Sequence, residues 1–247
     1  MEKFKNKVVI ITGGNSGIGY AAAQEFKTQG ATVIITGKRQ AALDKAAAEL
    51  GITGKLADQS NLKDIEKLAS EVRDKYGKVD VLFINAGVAA FAPIEFISEE
   101  QFDTMADVNF KGSFFMLQKF IPLLNNVASV IFLTSNATAL AMENSAVYSA
   151  SKSAVSQLAK VAAKELAPRK IRVNIIAPGP TETEMLDKFG VDQATLSGMK
   201  SQMAARVPLG KLGIPEDVAK MAVYLSDESQ SSFITGAEFF IDGGMLL

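Results

Sequence analysis

The sequence predicts a single-domain α/β fold in which a parallel sheet is wound by helices on both faces. Three observations carry this. Short apolar, β-branched runs alternate with longer helical stretches along nearly the whole chain. The first two runs are almost continuously apolar, the pattern of strands covered on both sides rather than one. No linker, internal repeat or low-complexity tract interrupts the 247 residues, a length within reach of one large α/β domain.

Taken in order, a first strand at Val8–Thr12 runs into a glycine-rich turn and a helix at Gly17–Gln29. A second strand at Thr32–Thr36 is followed by a helix at Gln40–Leu50, and a third at Lys55–Ala57 by a helix at Leu62–Tyr76. The fourth strand is Val79–Asn85. The next helix, Glu99–Leu124, opens on Ser98 and Gln101, spaced as a capping box. Strand Ser129–Thr134 precedes a helix at Ser145–Ala167 that Pro168 closes, and strand Arg172–Ala177 follows. Pro215 suits the first turn of a helix at Pro215–Leu225, and Glu238–Ile241 is the seventh strand. The whole reads as a Rossmann-type, doubly wound, seven-stranded parallel sheet. Residues 181–213 break the alternation as helical pieces joined by Gly190, Gly198 and Gly210. An insertion at the carboxyl end of a strand is where a substrate lid belongs.

Two helices are unusual. Phe102, Met105, Val108, Phe110, Phe114, Phe115, Leu117, Phe120 and Ile121 leave no wide polar face on one of them, and Ser145–Ala167 is rich in Ala and Ser. A helix apolar nearly all round is buried on more than one side. A subunit interface is the favoured reading and a thick core the other.

Composition narrows the chemistry. Net charge is −1 with both signs spread along the chain, so neither a nucleic-acid footprint nor a polybasic membrane patch is expected. There is no Cys and no His. That removes thiolate nucleophiles, disulfides, a Ser-His-Asp triad and the usual zinc ligands, so no metal site is expected. Acid–base work falls to Tyr, Lys, Asp, Glu or a cofactor. The apolar run at the N-terminus is too short for a signal peptide and no stretch is long enough to span a bilayer, so a cytoplasmic protein is expected.

The turn after the first strand reads Thr12-Gly13-Gly14-Asn15-Ser16-Gly17-Ile18-Gly19. A glycine-rich turn between strand and helix lets backbone N–H groups and the helix dipole meet a pyrophosphate. After the second strand stands Thr36-Gly37-Lys38-Arg39, with no carboxylate to hold a ribose 2′-hydroxyl. Two cations at a helix N-terminus oppose the dipole, so they want another reason to be there. A 2′-phosphate supplies one, and NADP(H) is favoured over NAD(H). Asp58-Gln59 ends the third strand and Asn85-Ala86-Gly87 the fourth, lining the same crevice. Asp58 is a candidate acceptor for the adenine amino group, and Asn85 a candidate tie across the crevice. A plain turn residue is the competing reading for each.

Ser135 ends the fifth strand, and Tyr148 and Lys152 follow at i and i+4 on one helix face. An ammonium beside a phenol favours the phenolate, and lowering a tyrosine from about 10 to about 7 takes roughly 4 kcal/mol. Lys152 and an oxidised nicotinamide are the expected sources. Ser135 would hydrogen-bond the substrate oxygen as its charge changes.

With these residues on the page, the chain resembles a classical short-chain dehydrogenase/reductase over essentially its full length. The family's cofactor motif is matched by Gly13, Asn15, Ser16, Gly17, Ile18 and Gly19, its Asn-Ala-Gly by Asn85-Ala86-Gly87, its tetrad by Asn109, Ser135, Tyr148 and Lys152, and its Pro-Gly by Pro178-Gly179, with Thr181 and Thr183 behind it. The resemblance implies that Tyr148 is general acid in reduction and base in oxidation, and that Lys152 binds the nicotinamide ribose and lowers the Tyr148 pKa. It implies that the Asn109 carbonyl holds a relay water, and that Thr183 and the backbone near Thr181 fix the carboxamide. Family members preferring NADP often carry a basic residue where Lys38 stands. Some carry another just before the second motif glycine, where this chain has Ser16. Members are commonly tetramers, so a homotetramer is expected, its dimer interface formed by the two unusual helices.

The expected pocket walls are Val88, Ala89, Ala137, Met142, Met185 and Leu186, with Glu143 close by in sequence. Structural filler is the other reading for any one of them. A carbonyl or alcohol of modest polarity is the expected substrate. Three functions stay open: an NADPH-dependent carbonyl reductase; a 3-oxoacyl (acyl-carrier-protein) reductase or NAD-linked sugar or alcohol dehydrogenase; and a non-catalytic NADP(H)-binding regulator. An acidic carrier protein would want a basic surface, and Lys188, Lys200 and Arg206 make no convincing cluster. Decay of the tetrad would mark the regulator, and none is seen.

Overall fold

Val9, Ile10 and Ile11 are consecutive and all fully buried. Neighbouring strand residues face opposite ways, so this stretch must be covered by helices on both sides. The computed structural model, which describes residues 2–184 and 192–247, has that arrangement. The elements are β1 (Val8–Ile11), α1 (Gly17–Thr28), β2 (Thr32–Gly37), α2 (Gln40–Leu50), β3 (Thr53–Leu56), α3 (Leu62–Tyr76), β4 (Val79–Ile84), α4 (Glu99–Met105), a π-helical stretch (Ala106–Lys111), α5 (Gly112–Phe120), β5 (Leu124–Leu133), α6 (Ala146–Leu166), β6 (Arg172–Pro178), α7 (Gln193–Ala205), α8 (Pro215–Ser226), α9 (Glu228–Ser231) and β7 (Glu238–Ile241).

The seven strands form one sheet in the order β3-β2-β1-β4-β5-β6-β7, with parallel neighbours throughout. Ile10, Ile34, Leu82, Val130 and Val173 belong to one core cluster, with residues of α3, α5 and α6. Val9, Ile11, Val33, Ile35, Phe83 and Ile131 belong to the other, with residues of α1, α2 and α8. Strand order reverses between β1 and β4, which opens a crevice at their carboxyl ends.

Two expectations need correction. The helix expected over Glu99–Leu124 is not continuous. Its start is as read, since Ser98 Oγ accepts from the Gln101 N–H at 3.2 Å while the Gln101 side chain accepts from the Ser98 N–H at 3.0 Å. At Ala106–Lys111 it widens to π-helical turns, with the Gly112 N–H reaching back to the Asp107 carbonyl. Gly112 permits a close approach there, because a Cβ would collide with the Gln59 carbonyl. The fifth strand begins at Leu124, not Ser129. Asn125 donates to Asp80 at 2.9 Å and Leu124 registers with Val79, while Val127, at φ 69°, lets the chain bulge before pairing resumes at Val81 and Ser129.

The two ends of the 181–213 insertion are pinned. Thr181 bridges Gly213, Glu182 donates to the Gly213 carbonyl at 2.9 Å, and Gly213 donates to the Pro180 carbonyl at 3.0 Å. Among the described residues, no helix is long and apolar enough to cross a membrane.

Candidate active site

The turn between β1 and α1 is built for close approach. Gly13 and Gly17 have φ of 64° and 52°, where L side chains are strained. A Cβ on Gly19 would collide with the Gly13 carbonyl, and one on Gly14 with Ile35. Ser16 stands at the helix N-cap without making a cap bond, and no acidic residue lies in the first turn. The N-terminal N–H groups of α1 thus meet no competing protein anion, which is the condition for seating a pyrophosphate. Ile18 packs against the core beneath. Asn15 lies over the end of β2, its Oδ1 placed 2.6 Å from where a Gly37 Cβ would stand.

The crevice is tied as expected. Asn85 Nδ2 donates to the Thr12 carbonyl at 2.8 Å and the Gly13 carbonyl at 3.1 Å. Thr12 Oγ1 accepts from the backbone N–H of Asn85 at 3.0 Å and of Ala86 at 2.9 Å. Asp58 Oδ1 is engaged by Ser60, from both its N–H at 2.9 Å and its hydroxyl at 2.7 Å. Gln59 is a correction. Its side chain is buried and turned inward, with Nε2 donating to the Ala86 and Val108 carbonyls at 3.2 and 3.0 Å. It braces β4 against the π-helical stretch, and only its backbone is left to meet a ligand.

At the carboxyl end of β6, Gly179 passes so close to Asp242 that a Cβ would lie 2.7 Å from the Asp242 Cβ. Thr181 Oγ1 donates to the Gly179 carbonyl at 3.0 Å. The Thr183 methyl stands 3.3 Å from where a Gly17 Cβ would be, so the segment after Pro178 closes over the start of α1. Lys38 and Arg39 are exposed at the start of α2 and have no protein partner among the described residues. Lys38 opens onto a cleft of about 520 Å³ whose other wall carries Glu99, Glu100, Asp103 and Asp107. That acidic wall was not legible along the chain, because Lys38 and these carboxylates are far apart in sequence and face one another only in the fold.

Asn109, Ser135, Tyr148 and Lys152 converge. Asn109, on the π-helical stretch, clamps the Val88 backbone, accepting from its N–H at 2.8 Å and donating to its carbonyl at 2.9 Å. It also donates to Ser151 Oγ at 3.0 Å on α6. The Asn109 carbonyl accepts from Ser113 Oγ at 2.5 Å, so one lone pair is engaged within the chain. Lys152 is buried and donates to the Leu133 carbonyl at 3.0 Å. Burial pushes its ammonium down to about 8. A Cβ on Gly87 would come within 3.0 Å of Lys152 Nζ and 3.3 Å of Asn109 Oδ1, so Gly87 leaves that corner open. Burial raises the Tyr148 phenol above its ordinary value, outweighing the opposite pull of the neighbouring Ser135 hydroxyl. The expected lowering by Lys152 is therefore not seen: burial dominates at Tyr148. The Lys152 ammonium is engaged by the Leu133 carbonyl.

Among expected pocket walls, Val88 and Ala89 line a cleft of about 440 Å³ with Thr104 and Met105. Met142 is exposed beside the site. Ala137 is corrected: it is buried and its N–H donates to Ser135 Oγ at 3.2 Å, so it backs the Ser135 turn instead of facing a cavity. Met185 and Leu186 lie outside the described residues. One neighbour was missed. The ring of Phe91 lies 5.6 Å from that of Tyr148. As the first large apolar residue after the small run Ala86–Ala90, it was findable.

A profile of the family described as enoyl-(acyl carrier protein) reductase matches residues 13–246. The chain is 35% identical over 258 residues to the 3-oxoacyl-[acyl-carrier-protein] reductase FabG of Thermotoga maritima, covering 99% of this chain and 100% of that one. It is 34% identical to the NAD-dependent glycerol dehydrogenase of Listeria innocua, covering 97% and 93%. A crystal structure of a short-chain dehydrogenase/reductase from Brucella melitensis, described as glucose/ribitol dehydrogenase, superposes with a TM-score of 0.92 at 30% identity, covering 99% of this chain and 98% of that one.

Proposed function

We propose that this chain, which belongs to the short-chain dehydrogenase/reductase family, is a carbonyl reductase that prefers NADP(H) and uses Tyr148 as its acid. Nicotinamide cofactors are the family's hydride carriers. The residues present fit one, since the glycine turn has no room for side chains and the N-terminus of α1 meets no internal anion. A bound nicotinamide supplies the hydride in reduction. The chain's own residues do the rest. Gly13 to Gly19 receive the pyrophosphate, and Thr181 and Thr183 orient the carboxamide end.

The single observation that carries the reading is the convergence of Ser135 and Tyr148 beside the buried Lys152. Ser135 Oγ holds the substrate oxygen, and the Tyr148 hydroxyl gives that oxygen its proton. Burial keeps the phenol protonated at neutral pH, which suits an acid in the reducing direction. Lys152, still largely an ammonium at neutral pH, re-supplies positive charge beside the phenolate that remains. The Asn109 carbonyl keeps a second lone pair for a relay water. Lys38 and Arg39, exposed and with no side-chain partner among the described residues, fit a 2′-phosphate. The pinned 181–213 insertion is the substrate lid. Exposed Phe102, Phe110, Phe114 and Val161 fit the dimer faces of a cytoplasmic homotetramer.

A second reading, an NAD-linked sugar or alcohol dehydrogenase, is favoured by one observation: the four carboxylates that face Lys38 across its cleft. They weaken the positive potential a 2′-phosphate needs. A panel of ketones, aldehydes, sugars and 3-oxoacyl thioesters assayed with NADPH and then NADH separates the readings. Faster turnover of simple ketones with NADPH supports the first, and NADH-only turnover of polyols overturns it.

A further inference from the structure

Glu238, at the start of β7, sits beneath the turn that carries Ser135. Its Oε1 accepts from Ser156 Oγ at 2.6 Å and lies within reach of the Thr138 and Thr134 hydroxyls at 3.3 and 3.5 Å, each of which shares its proton with a nearer carbonyl. Its Oε2 pairs with Lys160 at 3.5 Å, and the Glu238 side chain is only 14% exposed. Thr134 directly precedes Ser135, and Thr138 closes the same turn, its hydroxyl also donating to the Ser135 carbonyl at 2.9 Å. Ser156 lies on α6 one turn beyond Lys152, and Lys160 one turn further. One carboxylate therefore joins the Ser135 turn at the end of β5 to the helix bearing Tyr148 and Lys152, across the face of the sheet.

We propose that Glu238 is a positioning residue that fixes Ser135 relative to Tyr148. An ionised carboxylate accepts several hydroxyls at once, and such charge-assisted bonds are about twice as strong as neutral ones. Side chains that fix a reacting geometry matter steeply, since a misplacement of about 1 Å can cost about a hundredfold in rate. Edge strand β7 contributes no residue to the tetrad, yet through Glu238 it sets the separation between two of its members. The inference rests on the roles proposed for Ser135 and Tyr148.

The test uses Glu238→Ala and Glu238→Gln in the full chain. Tyr148 ionisation is read by ultraviolet phenolate absorbance against Tyr148→Phe, alongside NADPH affinity by fluorescence and the pH profile of turnover. In Glu238→Ala the Ser135 hydroxyl is free to drift from Tyr148, whose phenolate it favours, so the Tyr148 titration and the alkaline limb of the profile both move to higher pH. The turnover number falls between about tenfold and about a hundredfold, with NADPH affinity unchanged. Glu238→Gln, whose amide oxygen still accepts hydroxyls, recovers most of the rate. If Glu238→Ala does not fold, Ser156→Ala and Thr138→Val remove the donors singly and shift the same titration by less. An unshifted Tyr148 titration overturns the proposal whatever the rate does. A shifted titration in a chain that reduces no carbonyl on the panel leaves the positioning role standing and removes the proposed reaction instead.

Discussion

Lys152 and Lys38 both border the crevice, under opposite conditions. Lys152 is 5% exposed, bonded to a strand carbonyl and flanked by Gly87 and Asn109. Lys38 is exposed, unpartnered among the described residues and faces carboxylates across an open cleft. Water has been replaced around the first by fixed dipoles and still surrounds the second. Charge effects at the Lys152 end are strong, short-range and insensitive to salt. At the Lys38 end they are weak singly, additive and screened. In the proposed reading the chemical step is built into the fold, whereas the choice between two dinucleotides rests on a few solvated charges.

The contrast can be broken most severely at Tyr148. Tyr148→Phe is expected to lower turnover by about a hundredfold to about ten-thousandfold while NADPH still binds by fluorescence titration. Near-normal turnover would remove the proton-transfer role. At the other end, Lys38→Ala with Arg39→Ala is expected to weaken NADPH by about tenfold to about a hundredfold, two lost charge-assisted contacts, and NADH hardly at all. Equal losses for both dinucleotides would refute the 2′-phosphate assignment.

Salt sharpens the same comparison without mutation. Raising ionic strength to about 1 M shortens the screening length to about 3 Å. The ratio of NADH to NADPH dissociation constants is expected to shrink by several-fold, while the turnover number at saturation stays nearly constant. A turnover number that falls as steeply as the affinity ratio would mean that the buried end is screened too.

The smallest effect is on stability. Burial lowers Lys152 from its ordinary 10.5 to about 8, so the unfolded chain holds this proton where the folded chain gives it up. The penalty on the folded state is complete below about 8 and fades as pH climbs to 10.5. Lys152→Met should therefore be more stable than the parent at neutral pH, by about 1 kcal/mol. That margin should close over this alkaline range in urea titrations, and one that ignores pH would contradict the buried charge.

What the sequence announced and what it hid divide along physical lines. Val9 to Ile11, the glycine turn, the Ser98–Gln101 capping box and Pro215 are local signals, written in neighbouring residues, and each is found where it was read. The i, i+4 spacing put Tyr148 and Lys152 on one face of α6 before any contact was known. Gln59 shows the limit of local reading. Its place at a strand end suggested a ligand, but side-chain direction is set by Val108 and Ser113, about fifty residues away, which claim its amide. The acidic wall opposite Lys38 and the contacts of Glu238 are likewise long-range. So is the early start of β5, which depends on Asp80 and Val79 across the sheet. A pattern search along the chain weighs none of these, because each partner alone is an ordinary surface or turn residue.

The widened turns at Ala106–Lys111 have a consequence for how the chain tolerates change in length. Five-residue hydrogen-bond spacing makes room for one residue more than a regular helix of the same rise, and one residue is about 100° of rotation. The π-helical stretch thus sets the helical phase of α5 against α4. Phe110 and Phe114 point outward and Met116, Leu117 and Phe120 inward because of that offset. A single deletion among these six residues would let the segment close to a regular α-helix, keeping the aromatic stripe outward while carrying Asn109 off the Val88 backbone. The segment takes up one residue between two helices without turning either, so a change of length by one is cheaper for the packing there than elsewhere in α4 or α5.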